Sequence, residues 1–295
     1  MKVIIGIAAA LVLFAIWCVW QLGTNGVGPL RMLAVNRSPV QLAESMQEFR
    51  EEEFSVLVDG EHVNGLLYVP TSESEHSSVI IISHGFNSPA DTMKAKAKSF
   101  AAAGIPALVF DFRGGSTISM SDGQSENMTI SSEVADLNAV IDHIKISGGF
   151  ENSDIYLMGE SMGGLVTALT ASKRTDISAL MLCFPAFHCA DTARTSFASK
   201  DEIPSVVSAM GMNVGRNYWA ELYDMDLYKE IEETEIPILI FYGTKDPAVP
   251  AQYIEKANET YRQSELFIIE GAGHGFSGDD EKSVLKTCLE FMRVH

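Results

Sequence analysis

Basic clusters are missing from this chain. Its 21 lysines and arginines stand against 39 aspartates and glutamates, a net charge of −18. Phosphate backbones are gripped by a stripe of Lys and Arg, so nucleic acid is excluded as a partner, and peripheral docking on anionic lipid is disfavoured. Cysteine is scarce too. Cys18, Cys183, Cys189 and Cys288 form no C-x-x-C pair and no zinc spacing, so neither a redox motif nor a structural metal site is indicated, and the compartment cannot be read from them. No internal repeat and no low-complexity segment interrupts the sequence. What remains is a chain of 295 residues with 46% hydrophobic residues, ample for one large domain with an appendage.

The appendage is N-terminal. Val3 to Trp20 carries no charge, follows Lys2 and ends in Trp17 and Trp20. Such a run is long enough to span a bilayer, and the tryptophans suit an interfacial belt. A cleaved secretory signal is the alternative, but its apolar stretch is shorter, about 7–15 residues, and needs a small-residue cleavage site. Bulky Trp17 before Cys18 also makes a poor lipoprotein site. The expectation is a transmembrane anchor over 1–22, then a juxtamembrane linker and short helix over 23–52. Lys2 and the amino terminus nearly balance Arg31 and Arg37 in the positive-inside rule, and the reading leans toward a catalytic domain outside the cytoplasm. In the linker, Leu42, Met46 and Phe49 fall at helical spacing.

From Glu53 onward the pattern changes. Phe54–Leu57 and Val63–Tyr68 flank Asp59-Gly60, a hairpin signal. A polar loop over 71–78 follows, and then apolar runs at Val79–Ile82, Ala107–Phe110, Ile155–Met158, Leu180–Cys183, Ile238–Phe241 and Leu266–Ile269. Helical patterns such as Val134–Ile144 and Tyr253–Tyr261 separate some of them. Continuous apolar strands alternating with helices predict a mostly parallel sheet covered on both faces. Between Phe184 and Tyr228 no clear strand is legible, and a stretch that long predicts a helical cap at about 185–226 over the strand ends.

Gly159-Glu160-Ser161-Met162-Gly163 follows the run Ile155–Met158 and precedes an apolar stretch starting at Leu165. A serine at a strained strand-to-helix turn needs nearly side-chain-free neighbours two positions away, and the helix behind it points N–H groups at developing negative charge. The plain alternative is a tight turn with a solvated serine. A serine hydroxyl needs a base. Of seven histidines, His62 lies in the hairpin, His76 in a polar loop, His143 in mid-helix, His188 in the cap and His295 at the terminus. His274, in Gly271-Ala272-Gly273-His274-Gly275, directly follows the last apolar strand, where a glycine-rich loop brings an imidazole over the sheet edge; otherwise it is an exposed loop histidine. The base needs a carboxylate to fix its tautomer. Asp246, just past the strand Ile238–Phe241, lies where parallel sheets bind ligands. An Asx-type turn before Pro247 is the alternative there, and Glu221, Asp224 and Asp226 are rivals that read as a solvated face. Chain order is then nucleophile, acid, base. Two donors are needed for an oxyanion: the Met162 N–H, and the Phe86 N–H in Ser83-His84-Gly85-Phe86. His84 is expected to support that loop. Asp111-Phe112-Arg113-Gly114-Gly115 is expected to brace the edge, with Arg113 meeting a substrate carboxylate as the alternative.

These stretches, with Tyr242-Gly243-Thr244-Lys245-Asp246, resemble the α/β-hydrolase superfamily from Glu53 to the C-terminus. Within it the chain is most similar to the cinnamoyl/feruloyl esterase-like and serine aminopeptidase-like (S33) groups; the stretch over 121–129 is similar to a segment of those esterases. The resemblance implies an α/β-hydrolase fold over 53–295 with an eight-stranded sheet, and neither a metal nor an organic cofactor. It also implies Ser161 as nucleophile, Asp246 as acid, His274 as base, and Phe86 and Met162 as oxyanion donors. Gly114-Gly115-Ser116-Thr117-Ile118 departs from the usual Gly-His-Gly-type continuation, and the cap carries no recognisable acyl-binding motif. The expected function is ester hydrolysis of a small molecule through an acyl-enzyme. Peptide or amide cleavage, or a catalytically silent binding protein on the same fold, are the alternatives. Oligomeric state is not legible.

Overall fold

The computed structural model describes residues 32–34, 47–71, 78–147 and 149–295. The predicted anchor over 1–22, most of the linker, and most of the loop over 71–78 lie outside them. Among the described residues no helix is long and apolar enough to cross a membrane. The chain forms two units, Met1–Leu33 and Ala34–His295, and a three-residue strand, β1 (Met32–Ala34), spans their junction in sequence.

Eight strands from Phe49 onward lie in one sheet: β2 (Phe49–Val58), β3 (Glu61–Pro70), β4 (Ser78–Ser83), β5 (Ala107–Phe110), β6 (Asp154–Glu160), β7 (Ala179–Cys183), β10 (Ile238–Gly243) and β11 (Ser264–Ile269). Their order is β11-β10-β7-β6-β4-β5-β3-β2. β4 to β7, β10 and β11 are mutually parallel, and β2 and β3 are antiparallel additions. Strand alternation divides the interior in two. On β4, Val79 and Ile81 face one core and Ile80 and Ile82 the other, all fully buried; each such side chain contributes roughly 1.5–3 kcal/mol. Helices α1 (Lys94–Ala102) and α8 (Gly278–Met292) cover the second face. The first is covered by α2 (Ile130–Ser147), α3 (Met162–Ala171) and α7 (Ala251–Thr260).

Two expectations need correction. β2 begins at Phe49, ahead of Glu53, so Phe49 belongs to a strand rather than a helical stripe. Its register runs from Phe49↔Pro70 to Val58↔Glu61 around Asp59-Gly60, both at positive φ (52° and 88°). Glu51, Glu52 and Glu53 are exposed on this edge strand, where charge discourages further pairing. The cap is also not wholly helical. Between α4 (Cys189–Ser196) and α5 (Arg216–Asp224) lies an antiparallel hairpin, β8 (Val206–Ala209) with β9 (Met212–Gly215). Its two-residue turn, Met210-Gly211, has φ of 46° and 81°. That is the backbone of a primed hairpin turn, but methionine is not a residue that announces one. A short helix, α6 (Leu227–Ile231), leads back to β10.

Candidate active site

Three parallel strands end at one edge and each delivers one side chain. Ser161 follows β6 at φ 52° and ψ −116°, a conformation that costs about 1–3 kcal/mol for a non-glycine residue. The turn closes because its neighbours lack side chains. A Cβ on Gly163 would lie 2.6 Å from the Ser83 carbonyl oxygen, and one on Gly159 2.6 Å from the Gly163 carbonyl carbon. Backbone bonds fix the strained residue: the Ser161 N–H donates to Cys183 O (3.0 Å), and Ser161 O accepts from Ala186 N–H (2.8 Å). Its side chain, at the cap of α3, makes no capping bond and is free for another partner.

That partner is His274. Its Nε2 lies 2.9 Å from Ser161 Oγ and its Nδ1 2.8 Å from Asp246 Oδ2. A carboxylate only accepts, so Nδ1 carries the proton and Nε2 accepts from the serine hydroxyl. The loops bearing the two residues are zipped together. Lys245 N–H donates to Ala272 O (2.8 Å) and Gly271 N–H to Thr244 Oγ1 (2.8 Å), and a Cβ on Gly243 would meet the Ala272 carbonyl carbon at 2.7 Å. The Asp246 side chain is completely buried and that of His274 is 25% exposed, so the carboxylate is shielded while the imidazole opens to the cleft. The loop after β4 completes the edge: a Cβ on Gly85 would lie 3.3 Å from Ser161 Cβ. Met162 opens α3, where N–H groups lack intrahelical partners.

Comparison with known proteins bears on the fold. The family model described as serine aminopeptidase, S33 matches residues 74–218, and that of TAP-like protein matches 218–294. The chain belongs to the α/β-hydrolase superfamily. Est1E from Butyrivibrio proteoclasticus, solved with ferulic acid bound, is 26% identical, with a TM-score of 0.74 over 81% of this chain and 99% of that one. DcsB, solved with its substrate analogue, is 20% identical (TM-score 0.68; 83% and 98% covered). An esterase from Pyrococcus furiosus is 18% identical (TM-score 0.59; 84% and 91% covered). A search among curated protein sequences finds no match.

The remaining residues of this hydrolase take supporting positions. His84 is buried: its Nε2 accepts the Phe112 N–H (3.1 Å) and its Nδ1–H donates to Gly85 O (2.8 Å). Burial lowers its pKa, which suits a neutral ring holding the β4 loop. Arg113 does not face the cleft. It donates to Asp136 Oδ1 (2.6 Å) and Val58 O (2.8 Å) and is only 8% exposed, so the bracing reading holds and the substrate-carboxylate reading does not. Asp111 accepts from the Ala90 and Met120 N–H groups (2.6 and 2.8 Å).

Sequence reasoning passed over several neighbours of the site. The Phe184 ring lies 4.6 Å from that of His274; its place just after an apolar strand was the available signal. His188 stacks edge-on to Tyr253 at 6.0 Å, with its pKa lowered by burial and then by His274. Behind the serine, Lys96 Nζ lies 3.1 Å from Glu160 Oε1 and 2.9 Å from Glu281 Oε1. Burial opposes its charge, but the two carboxylates outweigh burial and hold the ammonium above its ordinary pKa. A buried lysine in a helix of mixed pattern gives no sequence sign of such a role. Among the described residues no group of three or more His, Cys, Asp or Glu is disposed to hold a metal ion.

Proposed function

We propose that this hydrolase cleaves a carboxylic ester through an acyl-enzyme on Ser161. The carrying observation is that one imidazole, His274, lies within hydrogen-bond reach of both Ser161 Oγ and the buried Asp246 carboxylate. In this reading His274 takes the hydroxyl proton as Oγ attacks the ester carbonyl carbon. The N–H groups of Phe86 and Met162 stabilise the tetrahedral oxyanion. Collapse breaks the bond to the alkoxy oxygen, and His274 returns the proton to the leaving alcohol. Water then gives its proton to His274 and attacks the acyl carbon, and Ser161 leaves with that proton. Ser161→Ala should abolish turnover of a short-chain aryl ester and labelling by a fluorophosphonate. Full turnover by that variant would refute the assignment.

The S33 match over 74–218 favours amide cleavage as a second reading, since the same three residues serve both bonds. Comparing an aryl ester with an aminoacyl anilide separates them. The strained serine counts against a silent binding protein, because such a backbone has no use without a nucleophile. The uncharged run Val3–Trp20 supports placing the enzyme at a membrane as a single-pass protein. The near balance of Lys2 and the amino terminus against Arg31 and Arg37 decides its orientation only weakly, and the reading takes the catalytic domain as outside the cytoplasm. Retention in the membrane pellet after alkaline carbonate washing, and digestion of the catalytic domain by a protease confined to the non-cytoplasmic side of that membrane, are the expected results.

A further inference from the structure

Asn87 joins three separate parts of the molecule beside the serine. Its backbone N–H donates to Gly115 O (3.1 Å). Its side-chain Oδ1 accepts the Thr117 N–H (3.0 Å), and its Nδ2 donates to Met210 O (3.0 Å). The first two contacts lie on the loop after β5, and the third lies on the turn of the cap hairpin. Asn87 sits at φ 49°, the left-handed region that asparagine tolerates better than most residues. It is bonded directly to Phe86. The Ser88 N–H returns to Gly85 O (3.2 Å), closing Phe86 and Asn87 into a tight turn. Gly211 serves the turn through its φ of 81° rather than through space, since a Cβ there would lie an ordinary 3.8 Å from Asn87 Nδ2.

The cap touches the same region a second time. Tyr218, on α5 and fully buried, places its ring 5.9 Å from that of Phe86 and donates its hydroxyl to Met162 Sδ (3.6 Å). Both residues whose N–H groups are read as oxyanion donors therefore carry a cap contact. The hairpin has four-residue strands; Met212 and Val214 bury its inner face in the core, while Met210 at its tip is 77% exposed, so the Asn87 bond reaches the tip from outside that core.

We propose that Asn87 is a positioning residue that clamps the Phe86 turn between the cap hairpin and the β5 loop, so that the cap forms part of the oxyanion-binding geometry. The inference rests on the acyl-enzyme reading of Ser161. A cap that only lined the substrate pocket would govern which ester binds. A cap tied to the Phe86 N–H governs transition-state stabilisation for every ester, because the oxyanion is common to all of them.

Asn87→Asp tests the tie with little change of shape. The acceptor for the Thr117 N–H is kept, while the donor to Met210 O becomes an oxygen facing a carbonyl. The expected result is a fall in kcat of about 10- to 100-fold on both 4-nitrophenyl acetate and 4-nitrophenyl octanoate, with KM within about twofold. Gly211→Val, at the exposed tip, should reproduce the pattern by distorting the turn that presents Met210 O, because valine does not tolerate the φ of 81°. Thermal melts of both variants establish that folded protein is being assayed. An unchanged kcat in folded Asn87→Asp, or a rise in KM confined to the octanoate, overturns the coupling. Fluorophosphonate labelling of wild-type Ser161 separates the two levels: if the wild type fails to label, the acyl-enzyme reading falls and the coupling with it. If it labels and Asn87→Asp turns over normally, only the coupling falls.

Discussion

Asp246 meets His274 through one carboxylate oxygen and its own backbone through the other. Oδ2 lies 2.8 Å from Nδ1, while Oδ1 accepts the N–H groups of Ala248 (2.7 Å) and Val249 (3.0 Å). The turn before α7 thus fixes the carboxylate before the imidazole arrives. The Asx-type turn and the acid for the histidine, posed as alternatives from the sequence, are two halves of one side chain.

Asp246→Asn separates the halves. The amide oxygen can still serve Ala248 and Val249, and the NH2 then faces Nδ1, forcing the tautomer whose Nε2 bears the proton. Stability should stay near wild type while kcat falls by about 10⁴, as for the same change in a related constellation. Asp246→Ala should lose stability as well, which urea unfolding alongside steady-state kinetics would reveal.

Gly163→Ala should be far more damaging than its size suggests. The added methyl meets the Ser83 carbonyl at 2.6 Å, backbone against which nothing flexible can yield. Either Ser161 moves or the end of β4 does. We expect little soluble protein, and in what folds no fluorophosphonate labelling.

Arg113→Met should leave the fully buried Asp136 without the guanidinium, holding only the backbone N–H of residue 113 (2.9 Å). Breaking such a pair from one side costs about 3–5 kcal/mol. The guanidinium contacts Asp136 and the β2–β3 turn rather than the cleft, so kcat measured well below the melting midpoint should be unchanged.

Glu133 gives a pH-dependent prediction. Burial first, then Asp136 on the same helix and Glu221 from the cap, push its pKa from 4.5 to about 8. The folded state then holds a proton that the unfolded chain releases. Stability is unaffected below about pH 4.5, declines as pH rises toward 8, and levels off above it. Glu133→Gln mimics the protonated form, so its advantage over wild type should be small at pH 5 and reach a few kcal/mol near pH 8. Asp136 also titrates upward, to about 6, but it is common to both proteins and cancels in the difference. A variant advantage that shrinks with rising pH would contradict the assignment.

Local chemistry made much of the site legible. Gly159 and Gly163 announce a turn that only small residues permit, and the glycines around His274 announce a loop that can reach over a strand end. Asp246 was found by its place after an apolar run. Each signal lies within a few residues, although His274 is 113 positions from Ser161. The cap hairpin was not legible, because Met210 occupies a turn position where asparagine or aspartate is the usual sign. Arg113 could be read as a brace or as an anion site, and only the burial of Asp136 decided between them.

The sequence by itself determined the alternation of strand and helix, the strand ends that bear functional groups and the order in which they occur. These follow from hydrophobic period and turn chemistry, which are properties of neighbouring residues. Tertiary structure alone decided that the three groups meet at hydrogen-bonding distance, that Arg113 is tied inward, and that Asn87 reaches Met210 across 123 positions. Those are consequences of sheet order and of how the cap folds back. A donor and an acceptor brought together by packing leave no trace in the residues beside either of them.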